Sequence, residues 1–134
     1  MKKFVITAFL LFGGLGVCAQ TPDQISQVQP QVIDFNICNK YFKVDNETLF
    51  YLTMSGLNEN KFTIDEIKSK SGYILFTAAK KQYLASVIKI DAKNSLLKIT
   101  PCDNMYYFPS GVVTNLFKYI ELNSNSPVEK VQIL

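Results

Sequence analysis

The side chains that could take part in chemistry are cysteines, tyrosines, lysines and carboxylates, because the 134-residue chain contains no histidine. Without histidine, neither a Ser-His nor a Cys-His nucleophile system can be assembled. The chain also lacks the glycine-rich phosphate-binding sequences of nucleotide-binding proteins. Its one adjacent carboxylate pair, Asp65-Glu66, would point to opposite faces of a strand, so a surface turn or bulge is the better interpretation. These residues favour a non-enzymatic protein without a cofactor.

Cys38 and Cys102 are expected to form a disulfide bond if the chain is exported. An even number of cysteines in an exported domain is typical of a disulfide-containing protein. Sixty-three residues separate the two, and closing a loop of that size stabilises a fold by about 4 kcal/mol. The alternative is two separate buried thiols, which behave as small apolar residues. Two cysteines without histidine do not complete a zinc site, so no metal site is predicted.

The aromatic run Tyr106-Tyr107-Phe108 lies between the last predicted strand and the last predicted helix. Aromatic rings on a loop are effective anchors for sugars, peptides or lipids. The same rings could instead cover one end of the sheet as part of the core. The core interpretation is favoured, and the run is retained as a candidate binding surface.

A second candidate surface is basic. Residues 61–100 contain eight lysines, Lys68 and Lys89 among them, against three acidic residues. Such a local excess of positive charge can attract an anionic surface. The favoured alternative is that the lysines cover the solvated face and edges of a sheet and prevent unwanted strand pairing. The chain has no arginine, the residue that normally recognises phosphate with two hydrogen bonds, so a nucleic-acid partner is not expected.

Residues 1–19 have the pattern of a secretory signal peptide. Two lysines form a positive start, an apolar run follows from Phe4, and Val17-Cys18-Ala19 fits a small-x-small cleavage site. The run is shorter than the about 20 apolar residues that span a membrane, so no transmembrane helix is expected in the mature chain. Cleavage at this site predicts a soluble periplasmic or extracellular protein. The alternative is lipidation of Cys18, as in bacterial lipoproteins, which would anchor the protein to a membrane.

The rest of the chain predicts a flexible linker, one domain and a loose tail. Residues 20–31 are rich in glutamine and contain two prolines, which is the composition of a linker. The alternation of apolar residues over 33–37 predicts a short strand or an extended lead-in. The domain is expected to cover residues 32–122, and residues 123–134 are expected to form the tail.

Within the domain, apolar spacing predicts two helices and four strands. Apolar residues recur at helical spacing over 46–57, where Asp45 can serve as the N-cap, and over 111–122. Strands are predicted over 62–67, 73–78, 82–91 and 95–100. Alternation fails near Asp65-Glu66, which indicates an irregularity in the first of them.

The predicted fold class is α+β with two layers. The short connections favour sequential antiparallel pairing, which makes the four strands a meander. One helix precedes the sheet and one follows it, and both are expected to pack on one face. The opposite face is then expected to be lysine-rich and solvated.

Together these features predict an exported, non-enzymatic binding or envelope-associated protein of unknown ligand. Its partner would be another envelope protein or an anionic surface. Two alternatives stay open. One is a lipid-anchored subunit of an envelope assembly, with residues 20–31 as its tether. The other is a small exported enzyme that uses carboxylates, tyrosine or lysine in a cleft.

Overall fold

The computed structural model describes residues 27–124. The predicted signal peptide, the lipidation candidate Cys18, and most of the predicted linker and C-terminal tail lie outside the described residues. Within residues 27–124, no helix is long and apolar enough to cross a membrane.

Short strands and two long helices make up the described domain. The strands are β1 (Pro30–Val32), β2 (Asn39–Phe42), β3 (Thr63–Lys68), β4 (Tyr73–Ala78), β5 (Lys81–Asp91), β6 (Asn94–Pro101) and β7 (Tyr107–Pro109). The long helices are α1 (Asn46–Glu59) and α2 (Gly111–Asn123), and a 3₁₀ helix covers Phe35–Cys38.

The strands form two antiparallel sheets. The main sheet has the order β2-β6-β5-β4-β3, so the mixed α+β fold with an antiparallel sheet is confirmed. Strands β3 to β6 follow one another along it, whereas β2 is a fifth strand that has no counterpart among the four predicted ones. β1 pairs with β7 in a separate two-stranded sheet. α1 therefore connects β2 and β3, the two edge strands of the main sheet.

The helices lie on the face of the main sheet that holds its buried side chains. Alternate residues of β4, β5 and β6 are buried there. α1 packs on β3 to β6, and α2 packs on α1 and reaches β2 through an edge-to-face contact of Phe117 with Phe42. The helices approach closely at Gly56, where a Cβ atom would lie 2.7 Å from Leu116 Cδ1. The other face of the main sheet is called the open face below.

α1 begins at the predicted residue because Asp45 caps it. One carboxylate oxygen of Asp45 accepts a hydrogen bond from the Thr48 N–H at 3.1 Å, and the other accepts one from the Thr48 hydroxyl at 2.6 Å. Glu47 lies in the first turn, where the helix dipole stabilises a negative charge. The cap also fixes the point at which the chain leaves the edge of the sheet.

The lead-in to β2 is helical rather than extended. The alternation over 33–37 predicts a strand, but Phe35–Cys38 forms the 3₁₀ helix. Asp34 explains the difference, because its side chain accepts a hydrogen bond from the Asn36 N–H at 2.9 Å, a local bond that competes with strand pairing. The end of the predicted linker is also structured, since its last two residues belong to β1.

Candidate binding surfaces

The structure divides the aromatic run between the core and the surface. Phe108 is 1% exposed and packs edge-to-face on Tyr83, with ring centroids 5.1 Å apart. Tyr106 is half-buried, and its ring centroid lies 5.6 Å from that of Phe35. Tyr107 is 54% exposed. Phe108 is therefore a core residue, and Tyr107 is the residue of the run that a partner can reach most easily.

Lys81, at the start of β5, holds this loop in place. Its Nζ donates hydrogen bonds to the carbonyls of Met105 at 2.7 Å and Tyr107 at 3.1 Å, and it lies 3.2 Å from Asp103 Oδ1. The pKa of Asp103 is lowered, first by the hydrogen bond from the Met105 N–H and also by Lys81. The same ammonium lies 5.5 Å from the centroid of the Phe108 ring. One largely buried lysine thus fixes the backbone around the aromatic run.

Tyr107 belongs to a group of exposed apolar residues in and next to the β1–β7 sheet, the end patch, which also contains Val28, Val32 and Met105. Val32 is 82% exposed, Val28 72% and Met105 62%. Val32 and Tyr107 are direct partners in the β1–β7 sheet, and Met105 precedes Tyr107 by two residues. Gln27, which precedes Val28, lies against Gly111 at the start of α2, where a Cβ atom would be 2.6 Å from its carbonyl oxygen.

Lys68 and Lys89 lie far from the aromatic run and on opposite faces of the main sheet. Lys89 is eight residues along β5 from Lys81, roughly 26 Å at about 3.3 Å per residue. Lys68 pairs with Tyr73 on the open face, whereas Lys89 pairs with the buried Ser95 on the helix-covered face. The structure therefore does not bring the predicted basic and aromatic residues together in one surface.

The predicted disulfide between Cys38 and Cys102 is absent from the structure, where both are free thiols. Cys38 is completely buried and Cys102 is exposed. Asn39 pairs with Lys98, so Cys38 lies opposite Ile99 and about 10 Å from Cys102 along the strand direction. A disulfide bond requires Cα atoms about 4.4–6.8 Å apart. The structure therefore agrees with the alternative interpretation, two separate thiols, although only Cys38 is buried.

Two ionisable groups are held in their neutral form inside the core. Burial raises the pKa of the Cys38 thiol to about 11, and the Asp34 carboxylate adds to the shift. Burial also raises the pKa of Tyr83 far above its usual range, with smaller contributions from Asp103 and Cys38. No hydrogen-bond partner of the Tyr83 hydroxyl is found among residues 27–124. A ligand at the surface cannot reach either group in this structure, because both side chains are fully buried.

The open face carries a row of apolar side chains instead of the expected lysine-rich surface. Tyr41, Leu96 and Ile88 are directly opposite one another on β2, β6 and β5. Tyr41 is 69% exposed and Ile88 is 41% exposed, with the half-buried Leu96 between them. Directly opposite residues of adjacent strands have Cβ atoms about 4.5–5.5 Å apart, so the three side chains form one continuous surface. This surface is called the open-face stripe.

The next row of the open face places a positive charge and a further ring beside the open-face stripe. Lys98 and Asn39 are partners in this row. Lys98 Nζ lies 5.5 Å from the centroid of the Phe35 ring, and Asn39 Nδ2 donates a hydrogen bond to the Phe35 carbonyl at 3.1 Å. Phe35 is itself nearly half exposed. The stripe therefore has an ammonium group and an aromatic ring along one border.

The sequence of β5 contains a signal for the open-face stripe that the prediction of a lysine-rich face ignored. Apolar residues occupy both faces of this strand between Tyr83 and Ile90. A strand that is apolar on both faces is typical of a sheet that is covered on both sides. Within the described part of the chain, the two long helices cover only one of these faces.

A cleft of about 290 Å³ lies between the N-terminus of α1 and the β3–β4 turn. Glu47, Tyr51 and Lys70 are among its lining residues. Ligand pockets usually measure about 300–1,000 Å³, so this cleft is slightly below the usual size. Across residues 27–124 there is no group of three or more side chains that could hold a metal ion.

Comparisons with protein-family models and with curated proteins identify no relative. No protein-family model matches the chain. No curated protein matches it significantly. No function can therefore be carried over from a relative, and the surfaces of the domain are the basis for a functional assignment.

Proposed function

We propose that this protein is an exported, non-enzymatic binding protein of the cell envelope, which holds another envelope protein on its open-face stripe. The observation that carries the proposal is the row of Tyr41, Leu96 and Ile88 on a sheet face that neither α1 nor α2 covers. Continuous apolar surface on a folded domain is typical of an interaction site, because contact with water is unfavourable for it.

Export is supported by the pattern of residues 1–19 described above. A binding role is supported by where the structure places its most perturbed ionisable groups. Cys38 and Tyr83 are sealed in the core rather than exposed to a substrate. Enzymes place groups with shifted pKa values in accessible clefts, which is the reverse of this arrangement.

The surroundings of the open-face stripe indicate the chemistry of the partner. Interfaces have an apolar centre and a polar rim. Tyr41 and Ile88 supply the centre here, and Lys98 stands at the rim. A protein surface with an apolar centre and an acidic residue at its edge would complement this arrangement.

The contribution of the open-face stripe to the free energy of binding follows from the exposed fractions of its side chains. Fully burying a large apolar side chain contributes about 1.5–3 kcal/mol. Tyr41 is 69% exposed and Ile88 41% exposed, so covering them should contribute roughly 1–2 kcal/mol for Tyr41 and roughly 0.6–1.2 kcal/mol for Ile88. Since 1.4 kcal/mol corresponds to a tenfold change in affinity, replacing Tyr41 by serine should weaken binding about tenfold, and replacing Ile88 by serine about fivefold.

Site-specific photo-crosslinking in the native envelope tests the proposal. A photo-reactive residue at position 41 or 88 should give an adduct with the same partner protein. The matched control is position 122, because Leu122 is 72% exposed but lies on α2 rather than on the open face. Tyr41→Ser should then reduce the adduct formed from position 88. Absence of an adduct at both stripe positions, or the same adduct from all three positions, would contradict the proposed function.

A further inference from the structure

We infer that the end of the domain at which the chain enters rests on a lipid bilayer, with the end patch inserted among the headgroups. This inference rests on the envelope association in the proposed function, but it concerns a different surface and a different partner. The bilayer contact would orient the domain, and the open-face stripe would stay available to a partner protein.

The first supporting observation is the position of the end patch around the incoming chain. Gln27, the first described residue, lies against the start of α2, since a Cβ atom at Gly111 would be only 2.6 Å from the Gln27 carbonyl oxygen. The next residue, Val28, already belongs to the patch, and Val32 follows on β1. The exposed apolar side chains are therefore grouped at the point where the preceding segment arrives.

The second observation is the short distance along the chain to the segment that would meet a membrane. Gln27 is nine residues from Cys18 and eight from Ala19, at which the apolar run ends. Nine residues span at most roughly 30 Å when fully extended. A lipid on Cys18, the alternative to cleavage after Ala19, would therefore hold Gln27 within that distance of the membrane surface.

The third observation is that the end patch is held in shape and consists of valine, methionine and tyrosine side chains, with the Lys81–Asp103 ion pair at its border. Val32 and Tyr107 are fixed by strand pairing, and Lys81 binds the carbonyls of Met105 and Tyr107. Aliphatic side chains with a tyrosine among them suit the membrane interface, where the ring is apolar and the hydroxyl reaches water.

Tryptophan fluorescence tests the inference, because the chain has no tryptophan of its own. Val32→Trp places a probe in the end patch at an exposed strand position, and Met105→Trp is a second probe if the first variant does not fold. Leu122→Trp is the matched control. Leu122 is 72% exposed, against 82% for Val32, but it lies near Ser124, which shares a shallow depression with Lys93 of the β5–β6 turn at the far end of the sheet. Each full-length variant is reconstituted on phosphatidylcholine vesicles with or without brominated acyl chains.

The expected result is a blue shift and a loss of fluorescence on brominated vesicles for Val32→Trp, with neither change for Leu122→Trp. Co-sedimentation verifies that both variants are bound to the vesicles. Vesicle-bound Val32→Trp without quenching would overturn the inference, and so would equal quenching of both probes, since the domain would then have no fixed orientation. A blue shift that appears at high protein concentration without vesicles would assign the patch to a second copy of the chain instead. These outcomes leave the crosslinks from positions 41 and 88 unaffected, so the two proposals can fail separately.

Discussion

Replacing Tyr83 by phenylalanine should make the protein more stable. The Tyr83 side chain is completely buried, and no hydrogen-bond partner of its hydroxyl is found in the described part of the chain. Its ring centroid lies 5.2 Å from that of Phe76 and 5.1 Å from that of Phe108. Phenylalanine would keep both ring contacts and remove the hydroxyl alone. A buried polar group without a partner costs about 1–3 kcal/mol, so Tyr83→Phe should raise the free energy of unfolding by about 1 kcal/mol.

The assay is urea unfolding followed by far-ultraviolet circular dichroism, with Tyr107→Phe as the matched control. Tyr107 is 54% exposed, so the same chemical change at position 107 removes a hydroxyl from an exposed side chain. The control should change the free energy of unfolding by less than about 0.5 kcal/mol. Thermal unfolding should agree, because 1 kcal/mol shifts the melting temperature of a domain of about 100 residues by about 4–8 °C.

Only Tyr83→Phe should therefore gain stability. The result that would refute the reasoning is a loss of stability in Tyr83→Phe, because a partner must then hold the Tyr83 hydroxyl. Alkaline titration gives an independent reading. The pKa of Tyr83 is raised in the folded state, so its contribution is complete below about pH 10 and is lost as the pH rises further. Tyr83→Phe should remove that part of the alkaline instability.

Three further predictions concern single residues. Lys81→Met should lower the free energy of unfolding, measured in urea, by about 2 kcal/mol, because two carbonyls lose a charged hydrogen-bond donor. The control is the exposed neighbour Lys80, where Lys80→Met should change the free energy of unfolding by less than about 0.5 kcal/mol. Equal effects of the two substitutions would contradict the role of Lys81. The free energy of unfolding should fall by about 2 kcal/mol from pH 9 to 11, because the Cys38 thiol stays protonated in the folded state and ionises in the unfolded state. If Cys38→Ala loses stability with pH as steeply as the original protein, Cys38 is not the cause. A thiol reagent should modify Cys102 rapidly and Cys38 only on unfolding, because Cys38 is completely buried and Cys102 is exposed. A non-reduced peptide map that links the two cysteines would contradict this prediction.

Elements with a clear apolar period were predictable from the sequence. The strand predicted over 73–78 coincides with β4 (Tyr73–Ala78), and both helices begin at the predicted residues. The irregularity predicted near Asp65-Glu66 is confirmed by the register shift between Ile64 and Glu66. In each case, local spacing of apolar residues is sufficient, because the buried face of the element repeats along the chain.

The elements that local spacing does not determine were missed. β2 (Asn39–Phe42) has two polar residues followed by two aromatic ones and so shows no period. It forms a strand because it pairs with the edge of β6, which lies far along the chain. β1 lies in a segment of linker composition and is ordered by its pairing with β7. Tertiary pairing overrides local propensity at both places.

The binding surfaces were predictable only in part. Consecutive apolar residues such as Tyr106-Tyr107-Phe108 carry no period, so the sequence could not separate the buried Phe108 from the exposed Tyr107. That separation depends on pairing with β1, which was itself not predicted. The open-face stripe needs the register of three strands, one of which is β2. The sequence shows that both faces of β5 are apolar. This pattern indicates an apolar surface on the open face, but it does not identify which residues form that surface.

The place of β2 at the edge of the main sheet also affects when the domain can fold. Its partner strand, β6, is synthesised late. The hydroxyl of Ser95 on β6 donates a hydrogen bond to the carbonyl of Val44, just after β2, and so links residues that are 51 positions apart. Contacts of such long range slow folding, because a large loop must be closed before they form. A chain that emerges with its N-terminus first therefore releases β2 and α1 before any sheet exists to receive them. The main sheet can therefore be completed only after most of the chain has appeared, which would suit the export proposed for this protein.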